Sequence, residues 1–204
     1  LSFEVQEMPE RQKASWICRY VTEHPDEAGI VYCATRKSVD ELTLTLQDAV
    51  EKQGLDMRIA SYHAGMGMES RTQNQQAFVR DDVRVMVATN AFGMGIDLDS
   101  ADLVIHFNMP LSLTDYMQQS GRAGRNGQKA HAVLLYSDED YYTNLAILHD
   151  GHPTLRGMEQ LDMMKEFCDD NEHCMAQLLL GRFGQKMKKG CKHCTVCQKN
   201  RRKK

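Results

Sequence analysis

Short apolar runs alternate with longer amphipathic stretches along the first two thirds of the chain. Five of the runs are rich in β-branched side chains, which is typical of buried strands. They are Gly29–Cys33, Met57–Tyr62, Val83–Ala88, Leu103–Phe107 and His131–Tyr136. Ser2–Gln6 is a candidate edge strand. Because strands that are buried on both faces lose the alternation of polar and apolar positions, these runs favour a parallel sheet covered by helices.

Helical periodicity fills the gaps between the predicted strands. In Ser38–Lys52, apolar residues recur at the three- and four-residue spacing that places them on one helix face, and Gly54 follows as a stop signal. Similar patterns occupy Glu69–Arg80 and Thr114–Gln119. The predicted fold class is therefore α/β, a parallel sheet flanked by helices.

The strand signal ends at Tyr136, and the rest of the chain is predicted to be helical. Three further helical patterns follow: Asp138–His149, Leu155–Cys168 and Glu172–Phe183. We therefore predict a boundary near Ser137, with an α/β domain over residues 1–137 and a small helical subdomain over residues 138–204.

The composition is that of an ordinary globular protein. Hydrophobic residues make up 42% of the 204 positions and charged residues 26%, which excludes collagen-like, fully disordered and membrane-embedded classes. No run approaches the ~18 apolar residues that a membrane span needs, and no secretory leader is visible. We expect a protein that is neither membrane-bound nor secreted, and, because the sequence begins at Leu1, a piece of a longer one.

The net charge of −3 conceals a strongly basic carboxyl terminus. Residues 182–204 contain ten Lys or Arg side chains and no Asp or Glu, so that this tail carries +10 and the preceding residues −13. A cationic tail on an acidic body favours contact with a polyanion. A solvated or partly disordered terminus is the alternative that explains the same charge pattern.

Three of the seven cysteines form a cluster, Cys191-Lys-His-Cys194-Thr-Val-Cys197. Structural Zn²⁺ is held by four protein ligands in a tetrahedron, and three thiolates leave one position to fill. The sequence offers four candidates for the fourth ligand: Cys168, Cys174, His173 and His193. A redox-active Cys-x-x-Cys pair is the alternative, but three clustered cysteines and no thioredoxin-like context favour a metal.

The clearest chemical signal in the α/β part is a glycine-rich segment with two arginines. It reads Tyr116-Met-Gln-Gln-Ser-Gly-Arg-Ala-Gly-Arg-Asn-Gly127 and places Arg122 and Arg125 among small residues. Guanidinium groups stay charged and bind phosphate through paired N–H donors. Two surface arginines on a turn are the alternative for this segment taken alone.

Two predicted strands run into loops of small and polar residues. These segments are Val87-Ala-Thr-Asn-Ala-Phe-Gly-Met-Gly-Ile-Asp97 and Ile30-Val-Tyr-Cys-Ala-Thr-Arg36. Loops at the carboxyl ends of parallel strands are where α/β folds bind ligands. There the hydroxyl and the backbone amide of Thr89 would suit a phosphate, and Asp97 would suit a ribose hydroxyl.

Together with Tyr62-His-Ala-Gly65, the three segments resemble the signature motifs of the second RecA-like domain of superfamily 2 helicases, specifically those of the RecQ family of DNA helicases. The resemblance spans roughly residues 1–137. It implies a RecA-like sheet and an ATPase whose nucleotide lies between two lobes. The P-loop lysine and the Mg²⁺ carboxylates would come from an N-terminal lobe of the same protein, because no P-loop motif occurs in these residues.

The resemblance also implies roles for single residues. Arg125 matches the arginine finger, which stabilises charge on the transferred phosphoryl group, and Arg122 matches an interlobe phosphate contact. Three further residues match nucleotide-contact positions: Gly95, Asp97 and Gln118. The loops that would grip DNA phosphates contain Thr35, Arg36, His63, Thr89 and Asn90. A hydrogen-bonded structural histidine is the alternative for His63.

The segment around Cys174 resembles the zinc-binding helix of the same family, and its distance from Cys191 is that of the family. The resemblance therefore implies a structural Zn²⁺ with the ligands Cys174, Cys191, Cys194 and Cys197. It leaves Cys168 as a thiol that does not bind the metal.

We interpret the sequence as the C-terminal part of the catalytic core of a RecQ-like, ATP-dependent 3′–5′ DNA helicase that uses ATP and Mg²⁺ and is inactive without its P-loop lobe. The expected partners are single-stranded and partly duplex DNA and the N-terminal lobe, with no membrane. The expected location is the cytoplasm, at the bacterial nucleoid, or the nucleus. A non-enzymatic, zinc-dependent nucleic-acid-binding module is one alternative. A superfamily 2 RNA helicase is another, against which the zinc cysteines weigh.

Overall fold

The computed structural model describes residues 1–93, 101–124, 127–151 and 154–202. Within them, six strands form one parallel sheet. Its strands are β1 (Ser2–Glu7), β2 (Gly29–Tyr32), β3 (Ile59–Tyr62), β4 (Val85–Ala88), β5 (Leu103–His106) and β6 (His131–Tyr136). The strand order is β1-β6-β5-β2-β4-β3, and every pair is parallel. The predicted α/β class is confirmed, and the candidate edge strand does lie at an edge, beside β6.

Helices cover the sheet and fill the carboxyl-terminal third. They are α1 (Glu10–Glu23), α2 (Arg36–Lys52), α3 (Met68–Val79), α4 (Leu113–Ser120), α5 (Asp138–Asp150), α6 (Leu155–Asp169), α7 (Met175–Arg182) and α8 (Thr195–Arg202). Every residue of β2, β4 and β5 is buried, which explains why these strands read as unbroken apolar runs. Among the residues described, no helix combines the length and the apolar composition that a bilayer crossing requires.

Helices α1 and α8 are absent from the sequence prediction. In α1, the buried positions Lys13, Ile17 and Val21 recur every four residues, but the first of them is a lysine, which interrupts the apolar stripe. The α8 sequence is mostly polar, and Val196 is buried within it. Both helices are held by tertiary contacts that a periodicity argument does not see.

One apolar cluster crosses the boundary that the sequence predicts at Ser137. Tyr116 of α4 lies 5.5 Å, between ring centroids, from Phe167 of α6, and 6.1 Å from Phe3 of β1. Further members from the sheet and the helical part are Leu134, Tyr136, Leu161, Met164, Leu179 and Val196. The division into two domains stays a prediction, but a shared core means that the two parts stabilise each other.

The outer edge of β1 is covered by the chain's last segments. The Ser2 hydroxyl donates to the carbonyl of His193 at 2.8 Å, and the Val5 amide donates to Thr195 Oγ1 at 3.2 Å. An edge strand otherwise presents unpaired backbone groups to solvent and to other molecules. The carboxyl-terminal segment therefore gives the Val5 amide of the first strand a hydrogen-bond partner.

A buried ion pair joins α1 to α5. Lys13 Nζ lies 2.7 Å from Asp140 Oδ2, and both side chains are at most 1% exposed. Glu10 supplies a second carboxylate 2.8 Å from the same ammonium, and the Ser137 amide donates to Asp140 at 3.1 Å. Buried charges persist only where partners of this kind replace water.

Replacing Lys13 with Met should lower the free energy of unfolding by about 3–5 kcal/mol, because the Asp140 carboxylate would then be buried without its counter-ion. Urea unfolding at pH 7 measures the loss. Lys52→Met is the matched control, since Lys52 pairs with Asp48 at 2.6 Å on the exposed surface of α2 and should change the unfolding free energy very little. Equal losses in the two variants would contradict the importance of the buried pair.

Candidate functional site

The loops that follow β2, β3, β4 and β5 leave the same edge of the sheet, because all the strands run in one direction. In the first loop, Thr35 is the N-cap of α2, and its Oγ1 accepts a hydrogen bond from the Ser38 amide at 3.1 Å. Arg36 follows at the first turn of the helix and is exposed. The positive end of the helix and the guanidinium of Arg36 thus lie together at the carboxyl edge, where both favour an anion.

His63 lies in the loop after β3 and is buried. Its Nδ1 accepts a hydrogen bond from the Gly65 amide at 3.1 Å, so Nε2 carries the proton and donates to Asp40 Oδ1 at 3.0 Å. A Cβ atom at position 65 would lie 3.1 Å from His63 Nδ1 and 3.2 Å from Arg36 Cδ. His63 therefore has the geometry of a hydrogen-bonded structural histidine. Gly65, which lacks a side chain, lies close to both His63 and Arg36. The role of His63 toward DNA stays a prediction.

The loop after β4 corrects one expectation. The backbone amide of Thr89 is not available to a phosphate, because it donates to the carbonyl of Tyr62 at 3.1 Å. The ladder between β3 and β4 continues one residue beyond the end of β4 and uses this donor. The side chain of Thr89 is largely buried, and the neighbouring Asn90 is exposed at the same edge.

Arg122 is not a surface arginine. Its side chain is only 5% exposed and lies beneath Gly93, where a Cβ atom would collide with the guanidinium. Gly93 has φ +88, a backbone conformation that also favours glycine. Within the described part of the chain, Arg122 Nε has no hydrogen-bond partner. The guanidinium also interacts with the Tyr32 side chain, so that Nε is the donor that it offers to an anionic oxygen.

Several predicted nucleotide contacts cannot be placed. Gly95, Asp97 and Arg125 lie outside the described residues. Gln118 is described, and it is exposed on α4. Of the residues assigned to the nucleotide side, the structure thus locates Arg122 and Gln118.

Sequence reasoning missed His106, the last residue of β5. The ring is fully buried, stacks on Tyr32 with centroids 5.6 Å apart, and places Nε2 2.9 Å from Gln119 Oε1. Burial lowers the pKa of His106 to about 4, against the Gln119 hydrogen bond, which raises it. A polar residue at the end of an apolar strand was the available signal in the sequence.

A cavity of about 190 Å³ opens between the carboxyl ends of β2 and β5. From β2 the chain continues toward β3, and from β5 it continues in the other direction along the strand order, toward β6. Open α/β sheets form ligand-binding crevices where the strand order reverses in this way. The polar lining of the cavity includes Asn90, His106, Asn108, Asp115, Gln119 and Asn144.

Four thiols meet beside the starts of α7 and α8. The sulfur atoms of Cys174, Cys191, Cys194 and Cys197 all lie within 4.8 Å of one another. Ligands of a tetrahedral Zn²⁺ at 2.3 Å are roughly 3.8 Å apart, so that a small movement of the side chains would close the site. Cys168 is buried in α6 and does not belong to the cluster.

The backbone around the cluster is arranged for thiolates. The Cys191 amide donates to Cys174 Sγ at 3.2 Å, and the Cys194 amide donates to Cys191 Sγ at 3.3 Å. Gly190 is needed here, because a Cβ atom would lie 3.0 Å from Cys197 Sγ. Burial raises the pKa of Cys174, but amide donors and neighbouring thiols outweigh it and lower the value to about 7. A donor set of four thiols with amide support fits a structural zinc ion.

Comparison with known proteins covers both halves of the chain. A family model described as the helicase conserved C-terminal domain matches residues 12–127, and one described as RecQ zinc-binding matches residues 117–198. The ATP-dependent DNA helicase RecQ of Pasteurella multocida is 36% identical, over 89% of this chain and 28% of its own length. RecQ of Bacillus subtilis is 34% identical, over 93% and 31%. The RecQ-like DNA helicase BLM of Xenopus laevis is 36% identical, over 83% and 12%. The chain thus spans less than a third of these relatives.

Solved structures support the fold. A DEAD box protein from Methanococcus jannaschii superposes with a TM-score of 0.59 at 24% identity, over 78% of this chain and 39% of that one. The Escherichia coli DEAD-box protein SrmB, solved bound to the regulator of ribonuclease activity A, superposes with a TM-score of 0.57 at 25% identity, over 71% and 81%.

The buried ring of His106 should make the protein sensitive to acid. The folded state keeps the ring neutral down to about pH 4, whereas the unfolded chain binds a proton below about pH 6.5. Stability should therefore be lost as the pH falls through this window, by up to roughly 3 kcal/mol from this group. In His106→Gln, the dependence of unfolding free energy on pH between 6.5 and 5 should be shallower than in the parent. Identical slopes would show that the ring takes up its proton in the folded state.

Proposed function

Since the chain belongs to the RecQ family of helicases, we propose that it is the C-terminal part of the catalytic core of an ATP-dependent DNA helicase with 3′–5′ polarity. An N-terminal RecA-like lobe of the same protein would supply the P-loop and the Mg²⁺ ligands. The observation that carries the proposal is that the helicase and zinc-binding matches meet in one folded body with a shared core. The protein would act either in the bacterial cytoplasm, at the nucleoid, or in a eukaryotic nucleus.

On the nucleotide side, this chain would present arginines to the phosphates of ATP held by the other lobe. Arg122 is buried, and its Nε has no hydrogen-bond partner among the described residues, which suits a fixed donor to an anionic oxygen. Arg125 would act as the arginine finger, neutralising charge that develops on the transferred phosphoryl group. Gly95, Asp97 and Gln118 would contact the rest of the nucleotide. ATP hydrolysis would then depend on closure of the two lobes.

On the nucleic-acid side, the carboxyl edge of the sheet would hold one DNA strand by its phosphates. Arg36 at the start of α2, the Thr89 hydroxyl and the exposed Asn90 lie on loops of this edge. Contacts of this kind position a strand without reading its sequence. Thr35 and His63 would support these loops through their hydrogen bonds to Ser38 and Asp40. The bound strand would be single-stranded DNA or the single-stranded part of a partly duplex DNA.

The four thiols would hold a structural zinc ion. A bound Zn²⁺ would fix α7, α8 and the loop between them, and with them the cover of β1. The helical part over residues 138–204 is close to the size below which a lone core is marginal, and its helices carry many charges, so that a metal would add stability.

In the intact protein, Arg125→Ala should reduce DNA-stimulated ATP hydrolysis by ~10³-fold or more, because the finger acts on the transition state. DNA affinity should be largely kept. Arg80→Ala is the matched control, since Arg80 is exposed at the end of α3 and should leave hydrolysis unchanged. Steady-state phosphate release with and without single-stranded DNA measures both. Hydrolysis at the parent rate in Arg125→Ala would remove the finger assignment.

Cys174→Ser should lose the metal and unfold the carboxyl-terminal helices, because structural zinc binding contributes on the order of 10 kcal/mol at neutral pH. Elemental analysis of the purified chain, with circular dichroism for helix content, measures the effect. Cys168→Ser is the control: it changes a buried thiol of the same apolar cluster and should keep one zinc per chain. Zinc retained in Cys174→Ser but lost in Cys168→Ser would show that the fourth ligand is wrong.

A further inference from the structure

Asn108, just beyond β5, connects the carboxyl edge of the sheet to the buried ion pair. Its Oδ1 accepts a hydrogen bond from the Ala34 amide at 3.1 Å, and its Nδ2 donates to Asp140 Oδ1 at 2.8 Å. The other oxygen of Asp140 accepts from Lys13 at 2.7 Å. A continuous chain of hydrogen bonds thus runs from α1 and α5 to the residue that precedes Thr35.

Several polar groups that line the cavity beside this chain of hydrogen bonds are paired inside the protein. Asn144 donates to the carbonyl of Met109 at 2.7 Å, and Gln119 pairs with His106. Asn108 uses both ends of its amide. These hydrogen bonds join the loops and helices around the cavity to one another.

The direction of the Asn108 amide is set by the carboxylate of Asp140. If the amide were turned over, Nδ2 would face the Ala34 N–H, donor against donor, and Oδ1 would face a carboxylate. Lys13 holds that carboxylate in position from the opposite side. The acceptor presented to Ala34 is therefore fixed by a charge pair that is remote from the surface.

We propose that Asn108 is a positioning residue for bound single-stranded DNA: through the Ala34 amide it fixes the loop that presents Thr35 and Arg36. The inference rests on the proposed nucleic-acid role of the carboxyl edge. It adds that α5, the first helix of the helical part, sets the geometry of that edge through Asp140. Asn108 itself does not contact the DNA.

The test uses the zinc-loaded chain and a fluorescein-labelled oligothymidine at low salt and at 10 °C. Asn108→Ala should weaken binding about 3- to 10-fold, the effect of losing one or two hydrogen bonds that hold the loop. In amide NMR spectra, the oligonucleotide-induced shifts of Thr35 and Arg36 should shrink in parallel. Gln47→Ala is the matched control, since Gln47 donates to the carbonyl of Ile59 at 2.9 Å, at the opposite end of β3, and should bind as the parent does.

An exchange of the two side chains separates positioning from simple loss of stability. Asn108→Asp alone places two carboxylates together and should weaken binding at least as much as Asn108→Ala. The double variant Asn108→Asp/Asp140→Asn restores one amide and one carboxylate and still offers Ala34 an acceptor. Lys13 keeps the Glu10 carboxylate, 2.8 Å away, as its counter-ion. With its fold checked by circular dichroism at the assay temperature, this variant should recover affinity to within about threefold of the parent.

Three results would overturn the inference. The first is parent affinity in a folded Asn108→Ala, and the second is a double variant no better than Asn108→Asp. If Asn108→Ala does not fold, Asn108→Ser, which is too short to span both partners, takes its place with the same expected loss. The third result is a parent chain in which the oligonucleotide leaves the Thr35 and Arg36 amides unmoved. That outcome alone would also overturn the proposed role of this edge in DNA binding.

Discussion

Because the strands are parallel, each connection between them must cross a face of the sheet, and the loops that follow the strands collect at a single edge. Ala34 and Asn108, which lie 74 positions apart in the sequence, become hydrogen-bond partners for this reason. The same constraint buries the central strands on both faces and leaves backbone donors near the strand ends to be used by adjacent strands. Among the described residues of this edge, side chains and the start of α2 remain for a ligand.

The helical part is joined to the sheet in two different ways. Its apolar residues complete a core that begins in the α/β part, around Tyr116 of α4 and Leu134 of β6. Its first helix adds a polar connection, in which Asp140 pairs with Lys13 of α1. Apolar packing supplies most of the stability of such contacts, whereas a buried ion pair tolerates only one arrangement of its partners. The combination fixes both the strength and the orientation of the junction.

The sequence predicts the strands well because burial on both faces leaves an unmistakable apolar pattern, and it predicts the thiol cluster because three of its ligands are close in sequence. It does not predict α1, since Lys13 occupies a buried position whose partner, Asp140, lies 127 residues away. It assigns the Thr89 amide to a ligand, because the extension of the ladder beyond β4 depends on Tyr62 of another strand. In each case the missing information is a non-local pairing, which local propensity does not contain.

The loop that carries the thiol cluster also covers the outer edge of β1, so that loss of metal would affect the sheet as well. His193 and Thr195, which hold the outer edge of β1, lie between the cysteines of the cluster. If those cysteines released their metal and the loop came away, the first strand would expose a free edge beside the apolar side chains of Phe3 and Val5. Such an edge pairs readily with strands of other molecules. Metal depletion would then appear as self-association of the protein before it appears as general unfolding.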